Sequence, residues 1–446
     1  MPKISEKIQH IQQQIRSENH AMAIGLLNEL NVADQASILK GLKLEEQIRI
    51  FQELKEPSRV FEFMPLSQQV SLAEQLPVAQ IIAILNALDS DNFVDVYKRC
   101  SPQLQQQLMA KLSEASRQTL KDLAIYPEGT AGALMSSSFV SLHQDLSIHD
   151  AIQMLRVVAA DQETLYLIYI VDEQDQLIGV VSLRQMIQAS PETSIAEIMQ
   201  RDVIYAKIGD DQEDVAKTLT YYDFMALPIV DEHKKILGIV TYDDAMDIME
   251  AETTEDILKS GAVEPLTELS LKTAPIFTLY QKRVSWLVIL VFGSLLSGIG
   301  IAHYEETIAA HIVLVFFLPL LVGSGGNAGS QSATLMVRAL ATGDVEFRDW
   351  FSLLSRETLV ALCLGGTMAL AVSVLGYVRG DIMVAVVLAI SMLGIVLMGC
   401  LIGMSLPFIL NKFKMDPASA SAPLVTSICD ATGVIIYLFV ASKLLF

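Results

Sequence analysis

The stretch Thr426 to Ala441, TSICDATGVIIYLFVA, is apolar enough to lie in lipid except for one carboxylate, Asp430. A hydrocarbon core of about 30 Å takes about 20 helical residues to cross. From Val284 onward, four segments free of Asp, Glu, Lys and Arg are of that order: Val284 to Ala302, Thr307 to Val337, Thr358 to Val378 and Ile382 to Asn411. A fifth, from about Ala420 to Ser442, contains Asp430. The second and fourth are longer than a crossing needs, which implies tilt, a break, or helix continuing past the lipid.

Charge separates this part from the rest of the 446-residue chain. Before Val284 there are 24 Lys and Arg against 42 Asp and Glu; after it, 7 against 9. The formal net charge of −20 thus belongs to the front part, which disfavours nucleic acid and makes cations the natural partners. With the N-terminus inside, five spans put the C-terminus outside. Lys282, Arg283, Arg338, Arg348, Arg356, Lys412 and Lys414 then fall inside, and only Arg379 and Lys443 outside, as the positive-inside rule requires. The first twenty residues are polar and lack the apolar core of a signal peptide, so the front part is expected in the cytoplasm. Cys100, Cys363, Cys400 and Cys429 are widely spaced, which supports neither a disulfide framework nor a thiolate metal site.

Residues 1 to 128 carry apolar residues at helical spacings, as in AMAIGLLNEL and VAQIIAILNAL, and short stops between them. A superhelical stack of short helices is expected, with no enzyme motif. The pattern then repeats. YIVDEQDQLIGVV (169–181) aligns with PIVDEHKKILGIV (228–240), identical at six of thirteen positions, and AGALM (131–135) is echoed by IAEIM (195–199). Each copy reads as strand, polar turn, strand and helix. These repeats resemble a pair of CBS modules, βαββα units that stack pseudo-symmetrically and often sense nucleotides or ions; the spans expected are 129–190 and 191–249.

Three features offer chemistry. Between positions 243 and 256 lie Asp243, Asp244, Asp247, Glu250, Glu252, Glu255 and Asp256 with no Lys or Arg among them. On a helix, such like charges repel unless a cation or partner compensates. They form either a solvated acidic face or a switch that closes on a hard divalent cation, which prefers carboxylate oxygen. Asp91, Asp95, Asp211, Glu213 and Asp223 are acids that could face them. Second, GSGGNAGSQSATLMVRAL (323–340) is rich in glycine and weak as a helix. Either it serves tight helix packing, or Asn327 and Gln331 face a cavity, since amides in lipid need partners. No Lys-Ser/Thr follows to make a phosphate loop. Third, Asp430 either makes a structural hydrogen bond or lines an ion path, and a two-fold dimer would pair it with its twin. A proton relay would recruit further acids, and the middles of the other predicted spans supply none.

Taken together, the chain resembles the MgtE family of magnesium channels and transporters over essentially its whole length. The resemblance rests on 323–340, on MDPASASAPLVTSICDATG (415–433) and on YDFMALPIVDE with GIVTYDDAMDIMEAETTEDI (222–257). It implies a multidomain chain: an all-α N-terminal superhelical domain (1–128), an α+β tandem CBS pair (129–249), an acidic linking or plug helix region (250–282) and an all-α five-span transmembrane domain (283–446). It implies no catalysis. It implies a homodimer in a bacterial inner membrane, with Mg²⁺ passing between protomers at Asp430, supported by Asn327 and Gln331. Cytosolic Mg²⁺ would close the channel at sensor acids matching Asp91, Asp95, Asp211, Glu213, Asp223, Asp244, Asp247, Glu252, Glu255 and Asp256. Asn92 departs from the family, where an acid is common. ATP at the CBS pair is implied as a regulatory ligand, at Tyr169, Arg184, Phe224 and Asp243. Two other readings stay open: an ion-coupled secondary divalent-cation transporter with CBS regulation, and a nucleotide-sensing receptor that conducts nothing.

Overall fold

The computed structural model describes residues 11, 14–15, 20–159, 162, 164–264, 274–345 and 347–445. Residues 1–10 of the expected helical front and 265–273 of the expected linking region lie outside these. The chain divides into two compact units, Met1–Glu250 and Ala251–Phe446.

The first unit begins as a stack of short helices. From Val32–Lys40 to Glu114–Leu123, each helix packs on the one two places along the chain. Proline sets several starts: Pro57 and Pro102 stand in first turns, and Pro65 and Pro77 at caps, where no helical N–H is lost. Asn31, Ser101 and Ser113 cap others through their side-chain oxygens. The glutamines have a structural use that their number in the sequence does not reveal. Gln47 Nε2 donates to Leu39 O and Leu42 O at 2.8 and 3.2 Å. Gln69 Nε2 reaches Phe61 O, Glu62 O and Met64 O at 2.8, 3.2 and 2.9 Å, and Gln105 Nε2 reaches Tyr97 O and Lys98 O at 2.8 and 3.2 Å. Each amide thus gives a further donor to carbonyls at the end of the preceding helix.

Two three-stranded sheets follow, β1 (Ser141–His143), β2 (Leu167–Val171), β3 (Leu177–Ser182), and β4 (Ala206–Lys207), β5 (Ala226–Val230), β6 (Ile236–Thr241). In each, the first strand is parallel to the second and the second antiparallel to the third. The duplication is exact in register: Ile170 pairs with Gly179 and Ile229 with Gly238. It extends to the turns. Asp172 Oδ1 accepts from Gln174 N and Gln176 N, both at 2.9 Å, and Asp231 Oδ1 from His233 N and Lys235 N at 2.8 and 2.9 Å. Asp175 and Lys234 take the same left-handed φ, 61° and 60°.

The leading segments of the two copies are exchanged in their pairing. Residues 129–136 pair with the second copy: Gly132 N donates to Ile208 O, and Ser136 and Ile239 exchange both backbone bonds. Residues 193–200 pair with the first copy: Ile195 N donates to Leu146 O, and Val180 and Gln200 exchange bonds. The repeat glycines permit this. A Cβ on Gly238 would lie 2.6 Å from Ser136 O, and one on Gly179 2.6 Å from Met199 Sδ.

The second unit holds five helices long and apolar enough to cross a membrane: Ile276–His303, Val313–Ala341, Trp350–Arg379, Ile382–Lys412 and Ala422–Leu444, the first to fifth spans. The fourth is the hub, packed on the second, third and fifth. Half of its apolar window is buried within the protomer, against 6% for the first. The overlong predicted second span is divided into a short helix, Glu305–Ala310, and the span proper. The glycine run does not break the helix, as propensity alone suggests. Gly325 and Gly329 of the second span lie against Gly399 and Gly403 of the fourth, and a Cβ on Gly399 or Gly403 would collide with Gly325 O or Gly329 O. Backbone contact offsets a propensity cost of about 1 kcal/mol per glycine. Tyr437 Oη, fully buried, donates to Leu314 O at 3.0 Å and fastens the fifth span to the second.

Gly403→Ala is therefore expected to lower the melting temperature of the detergent-solubilised protein, by an overpacking cost of about 1–3 kcal/mol. Gly366→Ala, where an added Cβ meets nothing within 4 Å, is expected to leave it unchanged. Equal melting of the two variants would remove the glycine contact as the cause.

Candidate functional site

In the membrane unit, Asp430 lies on the fifth span where it meets the second. A Cβ on Gly326 would come 3.5 Å from Asp430 Oδ1 and 2.9 Å from Thr426 Cγ2, so the second span can approach there only because Gly326 has no side chain. One turn on, the Ser330 and Thr426 hydroxyls are 3.2 Å apart. Asn327 and Gln331, each one residue beyond these contacts, are exposed on the protomer's outside, and Asp430 is half-buried beside them. The contacts to Asp430 and Thr426 are thus made by Gly326 and Ser330, and Asn327 and Gln331 are the exposed residues that follow them on the second span. Among the described residues no donor hydrogen-bonds the Asp430 carboxylate, so the structural-bond alternative finds no partner here.

A second acid within the span helices was missed from the sequence. The predicted third span begins at Thr358, but the helix starts at Trp350 and takes in Glu357. Its Oε1 lies 2.5 Å from the hydroxyl of Ser332 on the second span.

The helix Tyr242–Ser260 carries the acidic run. In the first unit its start meets acids from the helical stack. Ser90 Oγ accepts from Ser137 N at 2.8 Å and lies 3.2 Å from Ser136 Oγ, while Ser136 is bridged to Ile239 of β6. This docking sets Asp89 near Asp243 and Asp244, with Glu62 in their field. Burial, and then the negative charge of Asp243, holds the Asp89 carboxyl above the usual carboxylate range. Glu62 is raised by burial and then by Asp89, against a partial offset from Arg59. Asp244 is pushed up to about 6 by burial, despite accepting the Thr241 hydroxyl at 2.5 Å. Asp247 is raised by burial and by Glu250 and Asp243. Sequence reasoning missed Glu62 and Asp89, although Asp89 lies two residues before Asp91.

The other expected sensor acids are placed as follows. Asp91 and Asp95 are half-buried on the helix Ser90–Arg99. Asp211 caps its helix by accepting from Glu213 N at 2.9 Å, and Glu213 pairs with Lys217 at 2.8 Å. Asp223 stands in a turn at φ 53°. Glu252, Glu255 and Asp256 belong to the second unit, where Lys259 pairs with Glu255 and also with Asp416 Oδ2 at 2.6 Å. Burial opposes the Lys259 charge, but hydrogen bonds to Asp416 and Glu255 outweigh it and raise its pKa. Asp416 Oδ1 in turn accepts from Ala418 N in the turn that leads to the fifth span. Among the described residues no three His, Cys, Asp or Glu side chains converge as a ready metal cage.

Of the residues expected at a nucleotide, Arg184 and Asp243 are exposed and Phe224 is half-buried, stacked on Tyr222 at 5.3 Å. Tyr169 is 1% exposed, in the core shared by the two sheets with Phe139 against its ring.

Against known proteins, residues 318–440 match a family model described as a divalent cation transporter, 30–129 the MgtE intracellular N domain, and 131–192 and 195–251 the CBS domain. The fold and these matches define a multi-pass membrane protein of the divalent-cation transporter class with CBS modules, not an enzyme. The chain is 40% identical over 357 residues to the magnesium transporter MgtE of Thermus thermophilus, covering 80% of this chain and 79% of that protein. To the magnesium transporter MgtE of Enterococcus faecalis it is 36% identical over 326 residues, 72% and 71% of the two chains. It belongs to the MgtE family. A crystal structure of the cytosolic domain of the Mg²⁺ channel MgtE in complex with ATP matches with a TM-score of 0.51 and 32% identity, over 54% of this chain and 99% of that one. The expected architecture, helical front, CBS pair and five-span membrane part, is borne out.

Because Asp244 ionises less readily in the fold than in the unfolded chain, stability without divalent cations should fall as pH rises from the ordinary 3.8 through about 6, then level off. Thermal unfolding in EDTA across that range tests this. Asp244→Asn should flatten the slope and raise the melting temperature at neutral pH; an unchanged slope would contradict the assignment.

Proposed function

We propose that the protein is a Mg²⁺-selective channel gated by cytosolic Mg²⁺, working as a homodimer in a bacterial inner membrane with its N-terminus in the cytoplasm and its C-terminus outside. The observation that carries this reading is Asp430 at the contact of the second and fifth spans, with Asn327 and Gln331 exposed on the second span. A carboxylate and two amides turned to lipid would cost several kcal/mol, roughly. Turned to a second copy across a two-fold axis, they would face their twins and water instead. Mg²⁺ dehydrates reluctantly, so a ring of carboxylate and amide oxygens that meets it through its own water suits it better than a dry cage. The relatives' names as magnesium transporters support the choice of ion.

Gating falls to the acids of the front part and of the helix Tyr242–Ser260. Asp91, Asp95, Asp211, Glu213, Asp223, Asp244, Asp247, Glu252, Glu255 and Asp256 are the proposed Mg²⁺ sensors, and Glu62 and Asp89 join them. The raised carboxyls of Glu62, Asp89, Asp244 and Asp247 support this, because a divalent cation would relieve the repulsion that raises them. The Lys259 bridge from Glu255 to Asp416 supplies a mechanical link from this helix to the fifth span. ATP is proposed as a regulatory ligand with Arg184, Phe224 and Asp243 as contacts, supported by the ATP complex of the relative's cytosolic domain.

Mg²⁺ flux into liposomes at varied internal Mg²⁺ tests transport and feedback together. Asp430→Ala should abolish flux with the fold retained, and normal flux would sink the pore assignment. Joint neutralisation of Asp244, Asp247, Glu252 and Glu255 should leave flux high at internal Mg²⁺ that closes the parent. If inhibition persists undiminished, those acids are not the sensor.

A further inference from the structure

The five span helices contain two acids, Asp430 and Glu357. Glu357 lies seven residues inside the third span, roughly 10 Å along it. Although the third span packs chiefly on the fourth, this carboxylate reaches the second span, where Ser332 is 3% exposed. The Ser332 hydroxyl is 2.5 Å from Glu357 Oε1 and 3.2 Å from Ala328 O. It has one proton, and the nearer, charged acceptor takes it. The buried Cys400 thiol of the fourth span lies near both groups. Three spans therefore converge on one polar node.

Its place on the second span gives the node its meaning. Ser332 follows Gln331 directly and stands three residues past Gly329, at the end of the glycine contact with the fourth span. Along the glycine contact few side chains interlock, Ile395 against Gly325 and Cys429 against Gly329, so a polar tie there adds to what holds the rotation of this half of the second span. Successive residues on a helix point about 100° apart. Holding Ser332 inward thus turns Gln331, and Asn327 one turn before it, toward the seam with Asp430.

We propose that Glu357 is a positioning residue for ion passage: by holding Ser332 it fixes the rotation of the second span and with it the amides beside Asp430. The inference rests on the reading of Asp430 as the pore site. This role does not place Glu357 in the ion path.

The test uses the full-length protein in liposomes, with Mg²⁺ as the probe and Ca²⁺ as the competitor. Glu357→Ala and Ser332→Ala should each lower maximal Mg²⁺ flux roughly tenfold, the effect of losing one charge-assisted hydrogen bond, and should weaken discrimination against Ca²⁺. Glu357→Gln keeps an acceptor for the Ser332 hydroxyl and should restore flux and discrimination. Parental flux and discrimination in both alanine variants would overturn the proposal. So would equal loss in Glu357→Gln and Glu357→Ala, because the charge and not the hydrogen bond would then matter. Asp430→Ala in parallel separates the two readings. If it conducts normally, the pore assignment fails; if it is silent while Glu357→Ala is normal, only the positioning role fails.

Discussion

Between the second and fourth spans, Gly325 and Gly329 lie directly on Gly399 and Gly403, with no side chain between the two backbones. Lipid supplies no hydrophobic force to press helices together, so such contacts must supply dispersion at close range. The geometry of the membrane unit depends on this contact. It sets the fourth span at the centre, with the third and fifth packed on it. It also places Gly326 where the fifth span can bring Thr426 and Asp430 against it. Any side chain larger than glycine along this line would part the helices and with them the seam of polar groups.

The first unit depends on a different constraint, the exchange of leading segments between the two β-α copies. Neither copy completes its own sheet surface: residues 129–136 lie on the second and 193–200 on the first. A lone copy would leave those backbone groups unpaired and its core open, which explains the tandem arrangement. The exchange also carries the electrostatics. Ser136 and Ser137 join the helix beginning at Ser90 to β6, and this neutral hydrogen-bonded joint holds Asp89 near Asp243 and Asp244 in spite of their repulsion.

Much of this could be read from the residues, and the gaps have physical causes. Asp430 was legible because a charge in an apolar run is costly wherever it faces lipid. Glu357 was not, because counting charge-free residues ends a span at its first charge, whereas the helix runs on to Trp350. The duplicated strands were legible from IVDE and the glycine that follows. The exchanged helices were not, because a repeat in sequence does not say which copy each segment covers. The resemblance implied Tyr169 as a ligand contact; its place in the core between the sheets is something alternation within one strand cannot reveal. The glutamines of the helical stack looked like polar surface, and only the carbonyls left open at neighbouring helix ends give Gln47 and Gln69 a buried role. Lys259 lies three residues beyond the acidic run and so was left out of it, yet on a helix it sits one turn from Glu255.

The two units hold their carboxylates in opposite ways, and the difference follows from the solvent. In the first unit, Glu62, Asp89, Asp243 and Asp244 raise one another's pKa or stand in one another's field. An arrangement kept under repulsion responds to any mobile positive charge that reaches it. In the second unit Asp416 and Glu255 share the Lys259 ammonium and Glu357 accepts a hydroxyl, so these acids already have a donor within the protein. Asp430 differs from these in having no protein donor among the described residues; on the proposed reading its partner is the passing ion and its water.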